Sequence, residues 1–152
     1  MKLDRLAPVA VLTFGVVLGW TATPGKDSKQ FLNPGGEKPS GYTEVVSSPP
    51  GRMIFISGQG GTDSRGNLPA DFASQARNTF LNIRRSLELA GAEFEDIVKI
   101  NYYVTDMEQT SKLREIRARF LNMEAPPAST LVQVKLGGKW LLEVEAIAVV
   151  PD

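Results

Sequence analysis

Apolar residues recur along this chain with two periods, and the switches between them outline the fold. Phe72, Ala76, Phe80, Ile83, Leu87 and Ala90 fall three or four apart, which puts them on one stripe of a helix. Asp71 in front is a good N-cap and Gly91 a good stop, so a helix is predicted from Asp71 to Ala90. Asp106 with Gln109 marks a second start, and Leu113, Ile116, Phe120 and Leu121 form its core stripe. Lys112, Arg114, Arg117 and Arg119 are expected to decorate the outside of this second helix. Arg77, Arg84 and Arg85 are expected on the solvated face of the first.

Between and around the helices the period is two. Over Ile97–Thr105, Val98, Ile100, Tyr102 and Val104 share one face, and Asn101, Tyr103 and Thr105 share the other. Met53 to Ile56 is continuously apolar and predicts a strand covered on both faces. A first strand is expected over Tyr42–Ser47, turning into it through Ser48-Pro-Pro-Gly51. Two last strands, 129–136 and 141–150, are joined by Gly137-Gly138. The order is ββαβαββ: an α+β fold whose sheet has two helices on one face. The other face would carry Asn101, Tyr103, Glu143 and Glu145. It is too mixed for a closed core and in places too apolar to stand free, and self-association is the natural solution.

Glu143 and Glu145 stand inside an otherwise apolar strand, where a carboxylate costs free energy unless it is partnered or used. Two roles are open for Glu143: a general base or water-positioning group, or a structural carboxylate bonded across a subunit seam. Glu145 lies about 7 Å further along the same face and is expected to be structural. Ser57-Gly-Gln-Gly-Gly61 lacks the spacing and the lysine of a phosphate loop. It reads as a tight turn or bulge, or as backbone N–H groups offered to a ligand.

Composition then narrows the chemistry. The 17 Lys and Arg balance 17 Asp and Glu, so no overall field draws nucleic acid or an anionic membrane. There is no cysteine and no histidine. That removes Cys/His zinc sites, cysteine nucleophiles and Ser-His-acid triads. Proton transfer falls to Glu, Asp, Tyr, Lys, a terminus or water. No metal and no cofactor is expected.

The first 23 residues form a separate segment. Lys2 and Arg5 precede an almost wholly apolar stretch, Leu6–Trp20, and Thr21-Ala22-Thr23 offers small residues before Pro24. The stretch is short for a membrane span and suits a signal-peptide core. A cleaved signal, an uncleaved anchor and a packed extension or misassigned start are the three readings. A cleaved signal would make the protein periplasmic or secreted, with no stable membrane insertion; otherwise it is cytoplasmic. Residues 24–40, rich in Pro, Gly and Lys, read as a linker or loosely ordered arm before a domain at 41–152.

Several short motifs together resemble the RidA/YjgF/L-PSP family. They are Gly41-Tyr42, Ile54-Phe-Ile-Ser-Gly-Gln59, Asp71-Phe-Ala-Ser-Gln-Ala-Arg77 with Asn82, Asp96-Ile-Val-Lys99, Tyr103-Val-Thr-Asp106, Pro127-Ala-Ser-Thr130 and Glu143-Val-Glu-Ala-Ile-Ala-Val149. The likeness covers about residues 41–150. It implies a chorismate-mutase-like fold, a homotrimer with its sheets facing inward, and small-molecule clefts between subunits. It also implies hydrolysis of reactive imines or enamines to a carbonyl compound and ammonia. Carried over by position, the tyrosine that closes the cleft falls on Tyr42, the water-positioning glutamate on Glu143 and the glycine beside the ligand on Gly58. Tyr103, Ser129 and Thr130 lie within the motifs as further ligand contacts. The arginine that grips the substrate carboxylate falls on Ala128.

Alanine cannot replace a bidentate guanidinium, so the resemblance implies a neutral or differently anchored ligand, and Ala128→Arg should raise activity on small imino acids. Lys135 lies about 20 Å from Ser129 along an extended strand and is no substitute within one subunit. The alternative to an enzyme is a trimer that binds a small molecule or a partner without turnover. A nuclease is disfavoured, because the chain has no histidine, no net positive charge and no interleaving of basic and aromatic residues.

Overall fold

The computed structural model describes residues 28–152, so the segment Met1–Thr23 and the start of the arm lie outside the described residues. Six strands and two α-helices follow: β1 (Gln30–Leu32), β2 (Val45–Ser47), β3 (Gly51–Gly60), α1 (Phe72–Leu89), β4 (Ile97–Val104), α2 (Thr110–Arg117), β5 (Ala128–Gln133) and β6 (Leu142–Pro151). From β2 onward the order is the expected ββαβαββ. The main sheet runs β3-β6-β4-β5, antiparallel except for the parallel β4–β5 pair.

The predicted helical stripes fill the core. Asp71 caps α1 by accepting from the Ser74 N–H at 2.8 Å, and Gly91 leaves the helix with φ +64°. Ala76, Phe80, Ile83 and Leu87 are essentially inaccessible. They pack on the inward residues of the sheet, Ile54, Ile56, Ile100, Tyr102, Val104, Val144 and Ala146. Each large apolar side chain so buried is worth about 1.5–3 kcal/mol. Asp106 caps a single 3-10 turn, Met107–Gln109, which leads into α2. Leu113, Ile116 and Leu121 bury as expected.

Four expectations are corrected. The turn at 48–51 makes no hairpin, because β2 pairs with β1 rather than with β3. The arm supplies β1, and Lys38 ties it to the carbonyls of Met123 and Glu124. Continuous apolarity over Met53–Ile56 does not mean two covered faces: Ile54 and Ile56 are buried, but Phe55 is 70% exposed. In β4 a register shift between Ile97 and Lys99 turns Ile97 inward and leaves Val98 half-buried. Finally, Arg117 is not on the outside of α2 but 7% exposed.

Candidate functional site

With Leu142, Val144, Ala146 and Ala148 buried against the helices, the parity of β6 turns Glu143, Glu145 and Ile147 to the open face. The ladder sets Asn101 opposite Glu145 and Tyr103 opposite Glu143. Asn101 Nδ2 and the Tyr103 hydroxyl both donate to Glu145 Oε1, at 2.8 and 2.7 Å. These bonds, with Asn101 first, hold the Glu145 carboxyl below its ordinary pKa. The same bond pushes the Tyr103 hydroxyl up. Glu145 is thus a structural carboxylate that fixes two neighbours across the sheet.

Glu143 is different. It is half-buried and makes no side-chain hydrogen bond or ion pair with any described residue. Its side chain lies across the backbone of Gly58. A Cβ at that glycine would overlap Oε1 and stand 2.7 Å from the carboxyl carbon. Gly58 sits in a bulge, since Ile56 pairs with Ala146 and Gln59 with Val144, leaving Ser57 and Gly58 opposite one residue. The glycine-rich corner therefore gives β3 a bulge and gives Glu143 room.

Strand β5 divides the remaining residues between its two faces. Ala128 and Thr130 share the open face with their ladder partners Lys99 and Asn101, and Lys99 Nζ donates to Thr130 Oγ1 at 2.8 Å. Ser129, between them, points the other way. It lines a cavity of about 300 Å3 together with Tyr42, Thr110, Arg114 and Arg117. Gly58, Tyr103, Ala128, Thr130 and Glu143 are therefore gathered on the open face. Tyr42 and Ser129 meet beneath the sheet edge, beside α2. One protomer does not bring Tyr42 to Glu143.

The segment carrying Tyr42 is pinned by Thr43, whose Oγ1 donates to the Pro126 carbonyl at 2.7 Å and whose N–H donates to Pro127 at 3.3 Å. Just before it, Gly41 adopts φ +86° directly over the Arg117 guanidinium. A Cβ there would overlap Nη2 and lie 3.2 Å from Cζ. The guanidinium also stands 5.5 Å from the Tyr102 ring centroid. Arg117 is the residue that the sequence reading missed. The signal was present: it is four after Leu113 and four before Leu121, on the buried stripe itself.

A second cavity, about 890 Å3, opens beyond the end of β5 between Leu68–Ala70 and Lys135–Leu141. Lys135 lies there, on no wall of the Tyr42 cleft. Among the described residues no group of three or more His, Cys, Asp or Glu could hold a metal ion.

Residues 37–150 match the family model described as Endoribonuclease L-PSP. A RutC family protein of Pyrococcus horikoshii is 34% identical over 115 residues, covering 73% of this chain and 89% of that protein. A 2-iminobutanoate/2-iminopropanoate deaminase of Dermatophagoides farinae is 26% identical over 111 residues, covering 72% and 85%. Among solved structures, E. coli TdcF with bound serine superposes with a TM-score of 0.61 at 30% identity, covering 82% of this chain and 94% of TdcF.

Proposed function

Since this chain belongs to the RidA/YjgF/L-PSP family, we propose that it hydrolyses small imines of 2-oxo acids to the oxo acid and ammonia, as a homotrimer with clefts between subunits. The observation that carries the reading is the contrast between two carboxylates on one strand. Glu145 is held by Asn101 and Tyr103, whereas Glu143 is half-buried and has no partner among the described residues. A carboxylate without a partner on that face has its oxygens free to accept from an attacking water.

Assembly follows from the same face. Phe55 is 70% exposed, Met53 56% and Val132 38%, all on the side of the sheet that has no helix. Such a surface favours burial against copies of itself. The family likeness supports three copies. Tyr42 and Glu143 lie on different sides of one protomer, so a cleft using both joins the Tyr42–Ser129 side of one subunit to the Glu143–Gly58 side of the next.

In that cleft Glu143 takes a proton from water as the water oxygen attacks the imine carbon of R–C(=NH2+)–COO−. The carbinolamine then collapses. Glu143 returns its proton to the nitrogen, the C–N bond then breaks as the C=O bond forms, and Glu143 takes the hydroxyl proton and passes it to the released ammonia. Oxo acid and ammonium are the products, and the carboxylate ends as it began. Tyr42 closes over the substrate and donates a hydrogen bond, while the Gly58 backbone supplies a polar contact. The name of the D. farinae relative and the serine bound to TdcF support a substrate of this size.

A trimer that binds such ligands without turnover is the second reading, favoured by the lack of arginine at both Ala128 and Ser129. Freshly generated 2-iminopropanoate and 2-iminobutanoate separate the two. Turnover lost in Glu143→Gln with assembly intact supports hydrolysis. Ligand binding without turnover in the unaltered protein supports the second reading.

A further inference from the structure

Arg117 is 93% buried by difference from its 7% exposure, and its Nε has no hydrogen-bond partner. None of the ion pairs among the described residues includes it. The hydroxyl of Tyr102, whose ring it faces, is likewise buried, and among the described residues only Arg117 itself interacts with it. A guanidinium nearly out of water with no counter-ion is strongly disfavoured, and stacking on one tyrosine offsets only part of that. The cavity beside it, about 300 Å3, is walled by Tyr42, Thr110, Ser129, Arg114 and Arg117 and carries no Asp or Glu. With Ser40 also on its wall, two cations, four hydroxyls and no acid describe a receptor for a small anion.

We infer that Arg117, with Arg114 at the cavity mouth, holds the carboxylate of the substrate and so supplies the anchor that β5 lacks. The inference rests on the proposed reaction only for the identity of the substrate; the anion site itself stands on the burial and isolation of Arg117. A guanidinium offers two parallel N–H donors to one carboxylate, the geometry that Ala128 and Ser129 cannot provide. The left-handed turn at Gly41, packed against Nη2 of the guanidinium, and the Tyr102 ring 5.5 Å from Cζ restrict its position. Ser129, Thr110 and Tyr42 hydroxyls are placed for the remaining lone pairs of the ligand. The cavity has the volume of about ten liquid waters, enough for a short-chain 2-oxo or 2-imino acid.

The probe is 2-oxobutanoate, titrated calorimetrically into the full-length protein, with its uncharged primary amide as control. We expect the acid to bind and the amide not to. Arg117→Gln should weaken the acid by at least about 30-fold, the low end for truncating one partner of a buried charge pair. Arg117→Lys should recover part of that loss, because it restores charge without the fork. Should Arg117→Gln fail to fold, Ser129→Glu gives a second route. A carboxylate placed in the same cavity should occupy Arg117, raise Tm and abolish binding of 2-oxobutanoate.

Equal binding of acid and amide, or unchanged affinity in Arg117→Gln and Ser129→Glu, overturns the inference. So does failure of the unaltered trimer to bind the acid, which would mean that Arg117 is already paired across a subunit seam. The deaminase reading fails separately. If the acid binds through Arg117 but no imine is turned over, the anchor stands and hydrolysis falls. If imines are turned over and KM does not change in Arg117→Gln, hydrolysis stands and the anchor falls.

Discussion

The side chain of Glu143 crosses the backbone of Gly58 so closely that a Cβ at position 58 would stand 2.7 Å from its carboxyl carbon. The glycine is required by this approach, not by a left-handed backbone, since Gly58 is not among the positive-φ glycines. Gly58→Ala should therefore act on Glu143. Pushed aside by about 1 Å, the carboxylate loses its aim, and such a misplacement costs about 100-fold in rate. Turnover should fall by that order while the trimer, read by sedimentation, persists. Turnover within threefold of the parent in an assembled Gly58→Ala protein would remove Glu143 from the reaction.

The hydrogen bonds from Asn101 and Tyr103 hold the Glu145 carboxyl below its ordinary value. A depressed folded pKa contributes stability in full above the unfolded value of about 4.3, and that stability is lost as pH falls through the folded value. Asn101→Ala should raise the Glu145 pKa, and Tyr103→Phe should do so to a smaller extent. Both variants should be less stable than the parent at pH 6–7 and converge on it at low pH. Carboxyl titration by NMR and urea melts across this range check the prediction.

The sequence reading placed the substrate arginine at Ala128, with the expectation that Ala128→Arg raises activity. Ala128 lies on the open face, opposite Lys99 in the β4–β5 ladder, and Ser129 lines the cavity beside Tyr42. Ala128→Arg should leave KM for imino acids within about twofold and lower stability slightly, because like charges directly opposite repel. A tenfold fall in KM would restore the first expectation.

Phe55 on the open face gives a test of assembly. Phe55→Asp puts a charge where the proposed interface is apolar, a burial that costs several kcal/mol unless the charge is paired. The variant should sediment as a monomer and lose turnover, since the cleft needs two subunits. A monomer with full activity would place all the chemistry in one chain.

Much of the fold was legible because periodicity reports burial. The α1 stripe and its Asp71 cap, the open face with Asn101, Tyr103, Glu143 and Glu145, and the order of elements along the chain all follow from it. What was hidden has specific causes. A bulge inverts side-chain parity, so Ile97 took the place of Val98. Pairing partners depend on contacts distant in sequence, so the arm rather than β3 completes the ribbon with β2. Arg117 was assigned to solvent by its charge although its spacing from Leu113 and Leu121 put it on the core stripe; a long aliphatic stem and a flat head let it bury against Tyr102. The split between Ala128 and Ser129 needed only strand parity, but an aligned motif carries no direction in space.

The central claim is a cleft shared between the Tyr42 side of one subunit and the Glu143 side of its neighbour, and mixed trimers test it most directly. Tyr42→Ala and Glu143→Gln proteins, each inactive alone, are unfolded together, refolded as mixed trimers and assayed for imine hydrolysis. Random mixing of equal amounts leaves about one cleft in four with both residues intact, so about a quarter of the parent turnover should return. No recovery from verified mixed trimers would mean that both residues serve the same subunit's site, or that one of them serves none, and would contradict the account.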